Sequence, residues 1–558
     1  MNQIRRNPSL TPWPSPASRA PSLGGLGVWI LALALGLILP HQARSETLYE
    51  ALAGAYFSNP AIQAERARQR ADDEAVPQAI SGWLPKASVD AEAGKTRSRK
   101  RQPHNTDHHQ PQGVNVTLSQ PLFSGFRTLN AKRKADADVR AGQEQLYQTE
   151  QAVLLDAVTA YMNVIRDRKT AQLRAENVTF LGTELKATQT RQREGDLSKT
   201  DVAQARARFY EGEASLAQAR ADVKSSEAEF VSIIGHRPGR LSRAPSVVRL
   251  LPPSLAASLA TADEENPVII AAEFRHDAAR YDLKKAYGEF LPTMALDAEH
   301  GREFDQIAGI NQEDDSSVFL RLSMPLYQGG TLSSQVRQAR ETYKQRQFEA
   351  SDTRNRITAS VHDAWQQLRA AKLRVRSDRL QVKAAQEALK GVKIETEVGE
   401  RAIFEVLDAQ RELVNGRVSL ARAQRDVIVS RFTLLATVGR LSAEHLNLPV
   451  VGYDPTANLR RIKFRPFSGL AGGPAGHGPG ASDYEFTTYD GMKQPSASTW
   501  DRRPAMTVTP PDAPKQKTSD WSVTLQQPDA GLPLQGWSGE PSPTPSTAAA
   551  PSYDWNAD

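Results

Sequence analysis

The sequence predicts an α+β membrane protein built by internal two-fold duplication, with long antiparallel α-helical coiled coils and four transmembrane β-strands per chain. Three observations point there. The chain is written twice: Asn59-Pro60 returns as Asn266-Pro267, Leu84-Pro85 as Leu291-Pro292 and Asp90-Ala91-Glu92 as Asp297-Ala298-Glu299, each 207 positions on. Farther along the offset becomes 204, linking Pro121-Leu122 to Pro325-Leu326, Gly195 to Gly399 and Gly235 to Gly439. A period of this length marks a duplicated domain rather than a stacked solenoid unit. The second observation is a pair of proline-free runs, about Phe126 to Arg193 and Thr331 to Glu397, each implying a helix on the order of 100 Å. The third is four short segments with one apolar and one polar face.

Taken in order, residues 1–45 read as a signal peptide. Arg5, Arg6 and Arg19 precede an apolar run from Val28 to Leu39, and Ala43-Arg44-Ser45 offers small residues for cleavage, so the mature chain is expected to begin at Glu46. The twelve apolar residues are short for a membrane span of about 20. The first repeat is placed at 46–250 and the second at 251–450. Thr47 and Glu50 form a capping box opening a helix that breaks at Asn59-Pro60, and a second helix is expected to about Gly82.

The alternating segments are assigned to strands at 86–94, 113–121, 293–301 and 317–325. Val114, Val116 and Leu118 alternate with Asn115, Thr117 and Ser119, as Val318, Leu320 and Leu322 do with Phe319, Arg321 and Ser323. Such segments match membrane strands with lipid on one side and water on the other. The offset slips between Glu92 and Pro121, so that stretch is expected to be a loop of free length. It carries Arg97, Arg99, Lys100 and Arg101, suited to anionic headgroups, and His104, Asp107, His108 and His109, read as a surface cluster rather than a metal site. Four strands leave two open edges, which hydrocarbon does not tolerate, so the sheet must close by oligomerising: two copies give eight strands, three give twelve.

After Gly195 and Gly399 come shorter helices with seven-residue periods. Val202, Phe209, Leu216, Val223 and Phe230 make a large seam beside a small one of Ala205, Gly212, Ala219 and Ser226, and the second copy repeats this from Val406 and Ala409. Strict heptads imply left-handed supercoiling, and glycine inside a helix implies close contact with a neighbour. Beyond Val451, residues 451–558 are rich in Pro, Gly, Ser and Thr and are expected to be a disordered tail.

Cysteine is absent, which excludes disulfides, thiolate metal sites and an N-terminal lipid anchor on Cys. Mean hydropathy is −0.52 and net charge +6, with no concentration that would argue for nucleic acid. The ten His are dispersed, and no nucleotide-binding loop, nucleophile triad or metal motif appears, so no enzyme, cofactor or metal is expected.

Ser58-Asn59-Pro60, Leu84-Pro85, Gln120-Pro121-Leu122-Phe123-Ser124-Gly125, Pro325-Leu326-Tyr327-Gln328-Gly329-Gly330 and Val406-Leu407-Asp408-Ala409-Gln410 together resemble the TolC family of outer-membrane channel-tunnels, from about Glu46 to Pro449. The resemblance implies a homotrimer with a twelve-stranded barrel in outer-membrane lipid and a twelve-helix tunnel across the periplasm. It also implies a passive export duct docked to a periplasmic adaptor (a membrane fusion protein) and an inner-membrane ABC or proton-driven transporter. Absence of Cys places the chain nearer the type I secretion branch. Two alternatives stay open: a duct for small molecules only, and a soluble periplasmic coiled-coil adaptor.

The resemblance also implies site residues. The family's periplasmic constriction maps onto Glu405 and Asp408, three apart on one helix face, which a trimer would stack as two carboxylate rings. Two such charges about 8 Å apart repel by roughly 2 kcal/mol at an effective dielectric near 20, so the rings would favour cations. Arg401 matches the basic partner of a gate latch, expected to bond Thr200 or Asp201. Thr396 stands where some members carry an aromatic link residue, and Gln204 replaces the acid equivalent to Asp408.

Overall fold

The computed structural model describes residues 45–101, 104–245, 247–307 and 310–463. The expected signal peptide lies outside them except for Ser45. The first copy runs α1 (Leu48–Ser58), α2 (Pro60–Asp73), α3 (Ala75–Ile80), β1 (Lys86–Ala93), β2 (Thr96–Arg101), β3 (His104–His109), β4 (Gln112–Ser124), α4 (Arg127–Glu194) and α5 (Lys199–Ile234). The second runs α6 (Leu255–Glu265), α7 (Pro267–Gly288), β5 (Thr293–Ile307), β6 (Ile310–Ser323), α8 (Thr331–Glu397) and α9 (Ile403–Thr437), followed by the short α10 (Ala457–Ile462).

The duplication is visible in individual bonds. Asn59 caps α2 by accepting from the Ala61 amide and donates to the Ile233 carbonyl at 3.0 Å. Asn266 caps α7 through the Val268 amide and donates to the Thr437 carbonyl at 2.8 Å. Each Asn-Pro step thus begins one helix and ties down the end of another. Those ends turn at Gly235 and Gly439, with φ of 95° and 90°. At Gly439 a Cβ would sit 2.4 Å from the Glu265 carbonyl oxygen, so only glycine meets both the backbone conformation and the contact.

The expected helix from Asn59 to Gly82 breaks at Glu74, because Pro77 cannot donate to the Asp73 carbonyl and its ring crowds it. The long helices fall where expected, α4 with 68 residues and α8 with 67. Among the described residues no helix is long and apolar enough to cross a membrane. Close packing at Gly212 holds, since a Cβ there would meet Leu181 Cδ1 at 2.8 Å. At Gly416 the nearest atom, Val382 Cγ2, is at 3.4 Å, the edge of ordinary contact.

The strands form one antiparallel sheet in the order β1-β4-β5-β6, with β1 and β6 at its edges. Register aligns Ala87, Leu118, Ala298 and Val318 in one row, and Ser88, Thr117, Glu299 and Ser317 in the next. The first face is apolar and exposed, Val318 at 67% and Leu322 at 68%, and the second carries polar bonds such as Ser119 to Asp297 at 2.6 Å. The second hairpin is longer than the alternation suggested. Beyond Ala298 the outer face turns polar, yet pairing continues, tied by His300 to Ser316 at 2.8 Å and by Arg302 to Asp314 at 2.6 Å. The loop expected between Glu92 and Pro121 is instead largely a ladder, β2 with β3, pairing Arg97 with His108 and Arg101 with His104. Side chains from Ser98 to His109 lie outside the described residues, so the His and Asp cluster there is located only by backbone.

Helix neighbours repeat the strand order: α2 packs on α4, α4 on α7 and α7 on α8. At mid-length, Leu48, Leu52, Leu154, Tyr161, Phe230, Phe432, Leu435 and Leu441 form the main core. The Tyr161 hydroxyl lies 2.9 Å from the Glu46 carbonyl and 2.7 Å from that of Ser242, and His236 Nε2 lies 2.9 Å from Glu46 Oε1. Residues 451–463, expected to belong to a disordered tail, pack instead on α2. The Arg66 guanidinium lies between the rings of Tyr56 and Tyr453, 4.5 and 4.9 Å from their centroids, and Asn458 donates to Asp73 at 2.8 Å. The remainder of the expected tail lies outside the described residues.

Candidate functional site

Far from the sheet, the hairpins α4–α5 and α8–α9 each reverse through a glycine in the left-handed region, Gly195 at φ 93° and Gly399 at φ 84°. The two turns solve their capping differently. Ser198 opens α5 with a capping box: its hydroxyl accepts from the Asp201 amide at 3.2 Å, and its own amide donates to the Asp201 carboxylate at 2.9 Å. That bonding holds the Asp201 carboxyl below its usual range. At the second turn Ala402 occupies the cap position and offers no side-chain oxygen. Arg401 braces this turn, with Nε 2.5 Å from Glu395 at the end of α8 and a guanidinium nitrogen bonded to Glu405 in the first turn of α9. Glu405 also faces the positive end of the α9 dipole, which favours a carboxylate there.

Glu405 and Asp408 both lie on α9 and are half-buried. Asp408 accepts from Arg208 of α5 at 3.0 Å and has Arg411 at 3.6 Å. Arg208 in turn bonds Glu211 at 2.9 Å, lies 5.9 Å from the Phe404 ring centroid and helps line a small cleft with Gln204, Ala207 and Phe404. The expected bare carboxylates are therefore paired within the chain, each with an arginine. Sequence reasoning named Arg401 and missed Arg208. Its signal was available in the 204-residue offset, which puts Arg208 one helical turn beyond Gln204, the counterpart of Asp408.

The latch expected from the resemblance is not made within the chain. Arg401 bonds Glu395 and Glu405, Asp201 bonds Ser198, and no bond joins Arg401 to Thr200 or Asp201 among the described residues. Thr200 is exposed at the start of α5. Thr396 donates to its own helix at the Val392 carbonyl, 2.8 Å away. The hairpins are held together just behind the turns. Leu181, Ala205 and Leu407 pack as one cluster, Gln410 donates to Asn177 at 3.1 Å, and Lys393 lies 3.5 Å from Glu184 and 4.6 Å from the Phe180 ring centroid. Among the described residues no group of His, Asp and Glu is placed to hold a metal ion.

A family profile described as "Outer membrane efflux protein" matches residues 51–236 and 259–440, one stretch in each copy. The outer membrane efflux protein BepC of Brucella suis biovar 1 is 36% identical over 437 residues, covering 77% of this chain and 94% of BepC. Outer membrane protein TolC of Escherichia coli K12 is 26% identical over 438 residues, covering 75% of this chain and 87% of TolC. The alkaline protease secretion protein AprF of Pseudomonas aeruginosa is 23% identical over 345 residues, covering 61% of this chain and 72% of AprF. Among solved structures, the Campylobacter jejuni CmeC outer membrane channel is similar with a TM-score of 0.66 at 13% identity, covering 76% of this chain and 90% of CmeC.

Proposed function

Because the chain belongs to the outer membrane efflux protein family, we propose that three copies form the passive exit duct of a larger export machine. The protein is an outer-membrane efflux or secretion duct with a TolC-like α+β fold. The observation that carries the assembly is the four-stranded sheet with its apolar face exposed and the outer edges of β1 and β6 without a partner strand among the described residues. Hydrocarbon tolerates only closed sheets, and three copies give twelve strands, above the minimum of about eight. The helix row α2-α4-α7-α8 multiplies in step, giving a tunnel wall that continues the barrel. Large apolar side chains left exposed along α8, Phe348 at 72% and Leu373 at 64%, supply surface for the neighbouring protomer. A soluble adaptor has no use for the exposed face of the sheet.

In this reading the glycine turns lie at the periplasmic entrance, where an adaptor joins the duct to an inner-membrane ABC or proton-driven transporter that supplies the energy. Glu405 and Asp408 of three copies ring the axis there. Arg401 exchanges its own-chain partners for Thr200 or Asp201 of a neighbour in the closed state. Likeness to AprF, named for protease secretion, supports type I protein export; likeness to BepC, named for efflux, supports small-molecule export. Extraction from outer membranes followed by native mass measurement tests the assembly: a trimer is expected, and a stable detergent-free monomer rules the reading out. Deleting the gene and scoring protein export against drug susceptibility separates the two cargoes.

A further inference from the structure

At the foot of the sheet, where β4 turns into α4 and α7 turns into β5, there is a cleft of ≈ 410 Å³ between α4 and α7. Its walls combine apolar side chains, Phe126, Leu129, Tyr287 and Leu291, with two cations, Arg133 and Lys284. Phe126 is 55% exposed and held in the left-handed region at φ 59°. The Arg133 guanidinium lies 6.0 Å and Lys284 Nζ 5.5 Å from the centroid of the Tyr281 ring, one from each helix. Neither cation makes an ion pair among the described residues, whereas the neighbouring Arg127 and Lys134 are taken by Glu289 at 2.8 Å and Asp282 at 2.9 Å.

The ring contacts at its lip place this cleft on the outer wall. The Phe126 ring meets Phe123 edge-on, 5.2 Å between centroids, and Phe123 pairs with Met294, which pairs with Leu322 in the exposed apolar row. The aromatic lip of the cleft therefore continues the lipid-facing surface.

We propose that the cleft seats an anionic phospholipid of the inner leaflet, with its phosphodiester between Arg133 and Lys284 and its first acyl carbons against Phe126 and Leu291. The charge is complementary, and the position is where an aromatic and cationic belt meets headgroups. The inference rests on the outer-membrane placement and goes beyond it, assigning a ligand to the outside of the duct. Its test is native mass spectrometry of the detergent-extracted oligomer titrated with phosphatidylglycerol, phosphatidylcholine or inorganic phosphate. Wild type is expected to retain phosphatidylglycerol over phosphatidylcholine by a factor falling roughly fivefold for each cation removed. Arg133→Gln with Lys284→Gln should abolish the preference, while Lys372→Gln with Lys383→Gln, far along α8, should keep it. An unchanged preference in the first pair, equal loss in the second, or displacement of the lipid by inorganic phosphate would overturn the proposal. The same spectra report oligomer mass, so a failure of assembly is seen separately.

Discussion

Glu405 and Asp408 show how much a residue's role depends on what faces it. Read along α9 they are two acids one turn apart, yet Arg401 and Arg208 neutralise them in the folded chain. Half-exposed pairs of this kind contribute little, about 0–1 kcal/mol, so a change of partner costs little. Replacing both acids by Ala is expected to remove block by multivalent cations in planar-bilayer recordings. Arg208→Ala should strengthen that block, because Asp408 then keeps only the more distant Arg411 at 3.6 Å; unchanged block in both variants would put the gate elsewhere. A second residue, His236, is held above its ordinary value chiefly by its bond to Glu46. A raised pKa means its contribution is complete below the free imidazole value of about 6.5 and is lost as pH rises through the folded value. Amide protection factors near Glu46, corrected for the base-catalysed intrinsic rate, should therefore fall as pH rises through the folded value, and His236→Gln should flatten that fall.

At the scale of elements, the sheet is the most exposed to error, because a one-residue slip would reverse its faces. Leu320 pairs with Leu296 on the apolar face and Thr117 with Ser88 and Glu299 on the polar one. Arg at Leu320 is expected to cost about 2–4 kcal/mol near the bilayer midplane, whereas Arg at Thr117 gains Glu299 as a partner. Folding into lipid vesicles, titrated with urea, measures the difference, and equal cost at both positions would contradict the register. Alternation revealed where each strand lies but not how far it runs. In β5 and β6 the ladder continues through His300, Arg302, Asp314 and Ser316, held by polar pairs across the hairpin that no periodicity along one segment displays.

The whole molecule turns on what covers its surfaces. Residues 451–463 look like the start of a featureless tail, but Tyr453, Asn458 and Leu459 find partners in Arg66, Asp73 and the Val76–Val139 cluster. Truncation after Lys463 is expected to leave oligomer and melting temperature unchanged. Truncation after Gly452 should lower the melting temperature, since Asp73 is fully buried and loses its Asn458 bond. Equal melting of the two truncations would show the docked segment to be dispensable.

The amino-acid sequence alone determined the duplication, the two long helices, the glycine turns and the faces of the four strands. The duplication is read by comparing residues 204 to 207 apart, and the rest is local: heptads, alternation, Asn-Pro caps and left-handed glycines act within a few residues of themselves. Tertiary structure decided the pairing of Asp408 with Arg208, the end-to-end extent of β5 and β6, the fate of residues 451–463 and the cleft between α4 and α7. Each of these depends on partners brought from another strand, from the other copy of the repeat or from the far end of the chain, and a charge or an aromatic ring bears no mark, in its own neighbourhood, of the group that will meet it.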